Sequence, residues 1–132
     1  MKFFYFSIIL LFLVGCQKDK AIKNKFSSGK GSWEIVKYER FLWDPLGTNP
    51  NRVYWCNNCG EMKFNKDSGE IILNYQATQF NYSISNEKLI MYFDDEGIGY
   101  YVTWNWNKSE FTLTSNIGAA GFSEVITCKK IK

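Results

Sequence analysis

Apolar and polar residues alternate with a period of two along most of the chain after residue 30, and this pattern constrains the fold more than any other feature. The longest run is Ile98, Tyr100, Val102, Trp104 and Trp106, with less apolar residues between its members. Successive side chains of a β-strand point to opposite faces of a sheet. The alternation therefore predicts strands that are buried on one face, and no stretch shows a helical period over three turns.

Short turn signals separate these runs, such as "KDSG" at 66–69 and "DDEG" at 94–97. Closely spaced strands joined by short turns predict an antiparallel meander. About eight or nine such runs fit between residues 31 and 132, which is enough for a small barrel or sandwich. We predict an all-β domain over residues 31–132, built as a small antiparallel meander barrel.

The N-terminus carries a targeting pattern. Lys2 is followed by an apolar run of 12 residues, 3–14, which is short for a membrane span and typical of a signal-peptide core. The run ends in "LVGC" at 13–16, which resembles the lipobox of bacterial lipoproteins. That resemblance implies that residues 1–15 are a cleaved signal peptide and that the Cys16 thiol is the attachment point for lipid, palmitate included.

The segment after Cys16 is basic. Gln17-Lys18-Asp19-Lys20 is similar to a signal that sends some Gram-negative lipoproteins to the outer face of the outer membrane, with Asp19 as its one acid. The resemblance implies a lipid-anchored protein of the bacterial outer membrane that faces the cell surface. Residues 17–30 have a net charge of +4 and residues 31–132 a net charge of −2. We interpret 16–30 as a lysine-rich tether and expect no nucleic-acid binding, because the folded part lacks the basic excess.

The first predicted strand begins with "GSWEIVKYER" at 31–40. Its Gly-x-Trp start resembles that of lipocalins and of lipocalin-like bacterial lipoproteins. The resemblance implies a barrel whose base is closed by Trp33, with a basic side chain of the last strand, Lys129 or Lys130, packed on the indole. An unrelated β-sandwich that starts with a core tryptophan is the alternative.

With Cys16 lipidated, Cys56, Cys59 and Cys128 remain. "WCNNCG" lacks the following helix of a thioredoxin-type redox centre, and the chain has no histidine to complete a typical zinc site. We therefore predict no metal. Asn57-Asn58 suits a two-residue hairpin turn, across which Cys56 and Cys59 would form a disulfide and leave Cys128 as a buried thiol. A link from one of them to Cys128 is the alternative.

The absence of histidine removes the usual catalytic bases of hydrolases, and we predict neither enzyme activity nor a cofactor. Lipocalin-like barrels are implied by resemblance to hold small apolar molecules. The candidate lining residues come from the alternating runs: Tyr82, Ile84, Met91, Phe93, Tyr100, Val102 and Trp104. The same residues could instead form a filled core, which is the competing interpretation.

A second hypothesis is a surface interaction module with a solid core, such as an enzyme inhibitor or a subunit of an outer-membrane complex. Its contacts would lie in the loops predicted at 41–51 ("FLWDPLGTNPN") and 115–121 ("SNIGAAG"). Small molecule, protein partner and membrane are thus the three partners that the sequence predicts, the last through the lipid.

Overall fold

A computed structural model describes residues 17–94, 96–118 and 121–132. Residues 17–26 form a helix, α1. Eight strands follow: β1 (Ser32–Trp43), β2 (Pro50–Phe64), β3 (Ser68–Leu73), β4 (Gln76–Ser85), β5 (Lys88–Phe93), β6 (Glu96–Asn105), β7 (Glu110–Ser115) and β8 (Phe122–Lys130). A short 3₁₀-helix (Trp106–Lys108) joins β6 to β7.

Each strand pairs antiparallel with the next one along the chain, and β1 also pairs with β8, so the sheet closes into a barrel. In the closing ladder Trp33 lies opposite Lys130, and Leu42 opposite Phe122. Closure leaves no free edge on the sheet, which removes the tendency of edge strands to pair with other chains. The predicted all-β meander barrel is confirmed, with eight strands.

The turns define two ends of the barrel. The end that carries the β1–β2, β3–β4, β5–β6 and β7–β8 connections is called the mouth, and the end that carries α1 is called the base. Asn74-Tyr75 at the mouth and Asn86-Glu87 at the base are two-residue turns in which both residues have positive φ. This is the conformation of the primed turns that match the twist of a hairpin.

The two cysteines do not flank a hairpin. Cys56 and Cys59 lie within the continuous strand β2, where the pairing with β1 shifts between Ile35 and Lys37. The disulfide joins them across this bulge, with Cα atoms 5.8 Å apart, and Asn58 has a positive φ of 48°. The predicted local disulfide and the buried free Cys128 are confirmed. The prediction that a two-residue turn separates the two cysteines was wrong. The alternation on either side of a bulge resembles that on either side of a turn.

A double replacement of Cys56 and Cys59 by serine is expected to leave the barrel folded. The bond closes a loop of only four residues, for which the chain-entropy relation gives about 2 kcal/mol of stabilisation. Chemical denaturation of the variant against the parent chain measures the loss. A loss well above about 3 kcal/mol, the value for a 15-residue loop, would contradict a purely local role.

The core is aromatic near the base and is completed by α1. Phe26, at the end of α1, is fully buried, and its ring centroid lies 4.6 Å from that of Phe64 and 4.9 Å from that of Phe111. Ile22 packs against the same core. The segment that we expected to be a tether is therefore helical over residues 17–26 and packed on the barrel. The many lysines of this segment obscured the spacing of Ile22 and Phe26, which are four residues apart and therefore lie on one face of a helix.

Polar contacts also hold α1 to the turns of the base. Asp19 accepts hydrogen bonds from the amides of Asn86 (3.2 Å) and Glu87 (2.9 Å) in the β4–β5 turn. Lys23 forms an ion pair with Asp67 in the β2–β3 turn, and the ammonium of Lys25 lies 5.1 Å from the ring centroid of Trp106. The helix thus contacts three separate turns, which fixes its position across the base.

Candidate functional site

The seven residues predicted to line a ligand cavity all belong to the core or pack against it. Tyr82, Met91 and Tyr100 are buried, whereas Ile84, Phe93, Val102 and Trp104 are partly buried. The Tyr82 hydroxyl donates to the carbonyl of Asn65 at 2.6 Å, and burial raises the pKa of Tyr82 to about 12. Val102 and Trp104 face a groove beside α1. The set therefore serves mainly as packing.

Trp33 lies at the base and is 1% exposed. Its Nε1–H donates to the carbonyl of Phe26 at 2.9 Å, and its ring packs edge-on against Phe111 with a centroid separation of 4.7 Å. The ammonium of Lys130 lies 4.5 Å from the indole and donates to the carbonyl of Ser28. Lys129 points to the outside and is exposed. Of the two lysines predicted to cover the tryptophan, the structure places Lys130 there.

The backbone at residue 31 explains why a glycine stands two residues before Trp33. Its φ is +64°, and a Cβ at this position would lie 2.1 Å from the carbonyl oxygen of Phe64. The Gly31 carbonyl accepts a hydrogen bond of 2.8 Å from the Phe64 amide, which ties the entry to β1 against the end of β2. Only glycine combines that backbone conformation with so close an approach.

The cysteines form no reactive centre in the described residues. Cys56 and Cys59 are joined, and Cys128 is fully buried between β1 and β7. Burial raises the pKa of the Cys128 thiol well above its usual range, which disfavours the nucleophilic thiolate. The lipobox and Cys16 lie outside the described residues. No helix among the described residues has the length and apolar character needed to cross a membrane.

The mouth holds a polar site that the sequence analysis missed. Glu124 on β8 accepts a hydrogen bond from the Tyr38 hydroxyl on one carboxylate oxygen and from the Tyr100 hydroxyl on the other, both at 2.8 Å. The amide of Glu124 donates to the hydroxyl of Ser115, also at 2.8 Å. Residues of β1 and β6 thus hold the carboxylate, and Ser115 of β7 holds the backbone of Glu124, in the lining of a depression.

Burial and the neighbouring carboxylate raise the pKa values of both tyrosines. For Tyr38 and Tyr100 the main cause is burial, and the second is the charge of Glu124, which disfavours an adjacent phenolate. Both hydroxyls therefore stay protonated at neutral pH and keep donating to Glu124. The carboxylate of Glu124 accepts these two hydrogen bonds and has further lone pairs with which it can accept others.

The depression beside Glu124 has a volume of about 440 Å³. Arg40 and Glu96 supply further charge, and the guanidinium of Arg40 lies 4.2 Å from the ring centroid of Phe122. Ile98 and Phe122 supply the apolar part of the lining. The site thus combines two carboxylates, one guanidinium and a small apolar wall, which suits a small ligand that carries charge.

The signal for this site was present in the alternation of β8. Phe122, Ile126 and Cys128 share a face with Glu124, and a glutamate among apolar inward positions breaks the pattern. Such a break marks either a strand end or a buried polar site. Its tyrosine partners come from β1 and β6 and cannot be assigned from the sequence of β8.

Known proteins add no further constraint. No protein-family model, no curated protein and no solved structure matches the chain.

Proposed function

We propose that the protein is a lipid-anchored outer-membrane barrel, lipocalin-like in form, that binds a small ligand in the depression at its mouth. The carrying observation is the carboxylate of Glu124, held by Tyr38 and Tyr100 beside a cavity of about 440 Å³. A volume in this range suits a small molecule. The filled interior supports binding at the mouth in preference to the centre of the barrel.

The chemistry of the lining favours a ligand with a positive charge and a small apolar body. Glu96 and Glu124 outnumber Arg40 in the depression, and Ile98 and Phe122 offer apolar contact. An ammonium group beside Glu124 would form a charge-assisted hydrogen bond, which contributes more than a neutral one. An amphipathic amine is thus proposed in place of the small apolar ligand predicted from the sequence.

A titration with phenethylamine and its acid counterpart, 3-phenylpropanoate, tests the proposal by NMR chemical shifts. We expect the amine to shift signals of the mouth and the acid to leave them unchanged. In Glu124→Gln, affinity for the amine should fall roughly ten-fold or more, because a hydrogen bond to a charged group contributes about 1.5–3 kcal/mol.

Glu34→Gln is the matched control, since Glu34 is exposed on the outer face of β1 and its loss removes the same charge. Equal binding of amine and acid, or equal effects of the two variants, would contradict the proposed ligand class. Native mass spectrometry of the protein purified from its own source then identifies the natural ligand.

A protein partner is the second candidate, because large apolar side chains are exposed around the mouth. Leu46 is 85% exposed, and Leu42 and Ile117 are exposed nearby. The loops are shorter than predicted, because β1 extends to Trp43 and β7 extends to Ser115. The amide of Trp43, the last residue of β1, donates to the Gly121 carbonyl at 2.9 Å, which holds the start of the first loop beside the end of the second. Exposed apolar patches often mark interaction sites. A co-purified protein in the native mass spectrum, with no small molecule, would favour this candidate.

A further inference from the structure

The base of the barrel carries a large excess of positive charge. Of the acids there, Asp67 and Glu87 are paired with Lys23 and Lys18, and Asp19 accepts hydrogen bonds from the β4–β5 turn. Glu34 and Glu110 lie opposite Lys129, and the lysines still outnumber these acids. Burial is the main cause that lowers the pKa of Lys130, and the charge of Lys25 adds to it. The exposed lysines of this end come from α1, the turns and the C-terminus: Lys18, Lys20, Lys25, Lys30, Lys66, Lys108, Lys129 and Lys132.

The mouth has the opposite character. Asp44, Asp94 and Glu96 are at or beside its turns, and Glu124 lies within it. The basic groups of this end are Arg40 in the depression and Arg52 near the start of β2. The barrel is thus electrically polarised along its axis. A 12-residue strand such as β1, at ~3.3 Å per residue and ~40° tilt, separates the two ends by about 30 Å.

The base also exposes apolar groups among its lysines. Trp106 is 65% exposed and stacks on Trp104 with a centroid separation of 5.3 Å. Ile131, near the C-terminus, is 44% exposed. Tryptophan with neighbouring lysines is the combination that favours the interface between lipid headgroups and acyl chains. A surface that contacts only water is not expected to combine an exposed tryptophan with neighbouring lysines in this way.

The position of α1 brings this surface next to the proposed anchor. Cys16 directly precedes the first described residue of α1, and Asp19 and Lys23 bind turns of the base. A lipid at Cys16 would therefore attach within a few residues of the basic surface, with no long flexible spacer between them. Because α1 is bound to the base, a lipid at its start would also fix the position of the barrel.

We infer that the base is a membrane-contacting surface that binds anionic lipid headgroups and holds the barrel upright, with its mouth directed away from the bilayer. The anchoring part of this inference rests on the proposed lipid at Cys16. Each lysine near an anionic surface strengthens the contact, and Trp106 and Ile131 enter the headgroup region. The ligand site is thereby presented to the surroundings of the cell envelope.

Quenching of site-specific dyes tests the orientation in the full acylated protein, reconstituted into vesicles that contain phosphatidylglycerol. One variant carries Asn107→Cys at the base, and a second carries Leu46→Cys at the mouth; both parent residues are exposed. The disulfide and the burial of Cys128 direct a maleimide dye to the new thiol. Nitroxide on the lipid headgroups should quench the base dye several-fold more than the mouth dye.

Removing charge distinguishes the contribution of the basic surface to the orientation from that of the lipid anchor. In Lys20→Gln/Lys66→Gln the difference between the dyes should shrink, whereas Lys37→Gln/Arg52→Gln, on β1 and β2 away from the base, removes equal charge and should preserve it. Equal quenching of both dyes, or equal effects of both double variants, would overturn the inference. The intact mass reports the lipid independently, so a missing acyl group would count against the proposed anchor instead.

Discussion

Replacing Trp33 with alanine is expected to lower the free energy of unfolding by about 3–5 kcal/mol, the range for truncation of a large aromatic side chain in a core. The indole is 1% exposed and packs on Phe111. Its removal leaves a cavity at the base and deprives the Phe26 carbonyl of its hydrogen-bond donor. Urea denaturation followed by circular dichroism measures the loss.

Trp55→Ala provides the matched control for this experiment. Trp55 is 56% exposed on β2, and the guanidinium of Arg52 lies 5.1 Å from its ring centroid. An exposed cation–π pair contributes about 0.5–1 kcal/mol, so this variant should lose at most about 1 kcal/mol. If Trp33→Ala lost no more than Trp55→Ala, Trp33 would not be the residue that closes the base.

Replacing Cys16 with serine is expected to abolish acylation completely. The proposed lipid transfer would use the thiol of the cysteine at the end of "LVGC", and a serine hydroxyl is a much weaker nucleophile than a thiolate. The parent protein should partition into the detergent phase and carry the mass of its acyl chains. In the variant the acyl mass should be missing.

The Cys56→Ser/Cys59→Ser variant is the control, because it alters two cysteines but leaves the lipobox intact. It should keep the acyl mass and the detergent partitioning of the parent. An unchanged acyl mass in Cys16→Ser would refute the lipoprotein assignment, whatever the fold of the barrel.

The alternation of the sequence was sufficient to predict the class of fold. Side chains at positions such as Leu89, Met91, Phe111 and Leu113 are buried, and their neighbours in the chain face outward. The period of two is a local property of each strand, so it is legible without knowledge of the partner strands. The same holds for turns such as Asn86-Glu87, whose positive φ values occur within two adjacent residues.

Local sequence was less informative about the cysteines. Two strands that meet at a turn and one strand that bulges both place short polar residues between apolar runs. What distinguishes them is that residues on both sides of Asn58 pair with β1, from Gly60 opposite Ile35 to Asn57 opposite Lys37. The covalent pair was predicted correctly, but from a hairpin turn that β2 does not contain; its actual setting depends on the neighbouring strand.

The sequence by itself predicted the strands and favoured a bond between Cys56 and Cys59 over a link to Cys128. The packing of a basic residue of the last strand on Trp33 was implied by the lipocalin resemblance, and the structure assigns this place to Lys130. Only the tertiary structure decided that α1 closes the base and that Tyr38, Tyr100 and Glu124 meet at the mouth. Tyr38 and Glu124 are 86 residues apart in the chain. Closure of β1 against β8 brings them together, and no local propensity encodes that contact, because it arises from burying the apolar faces of all eight strands at once.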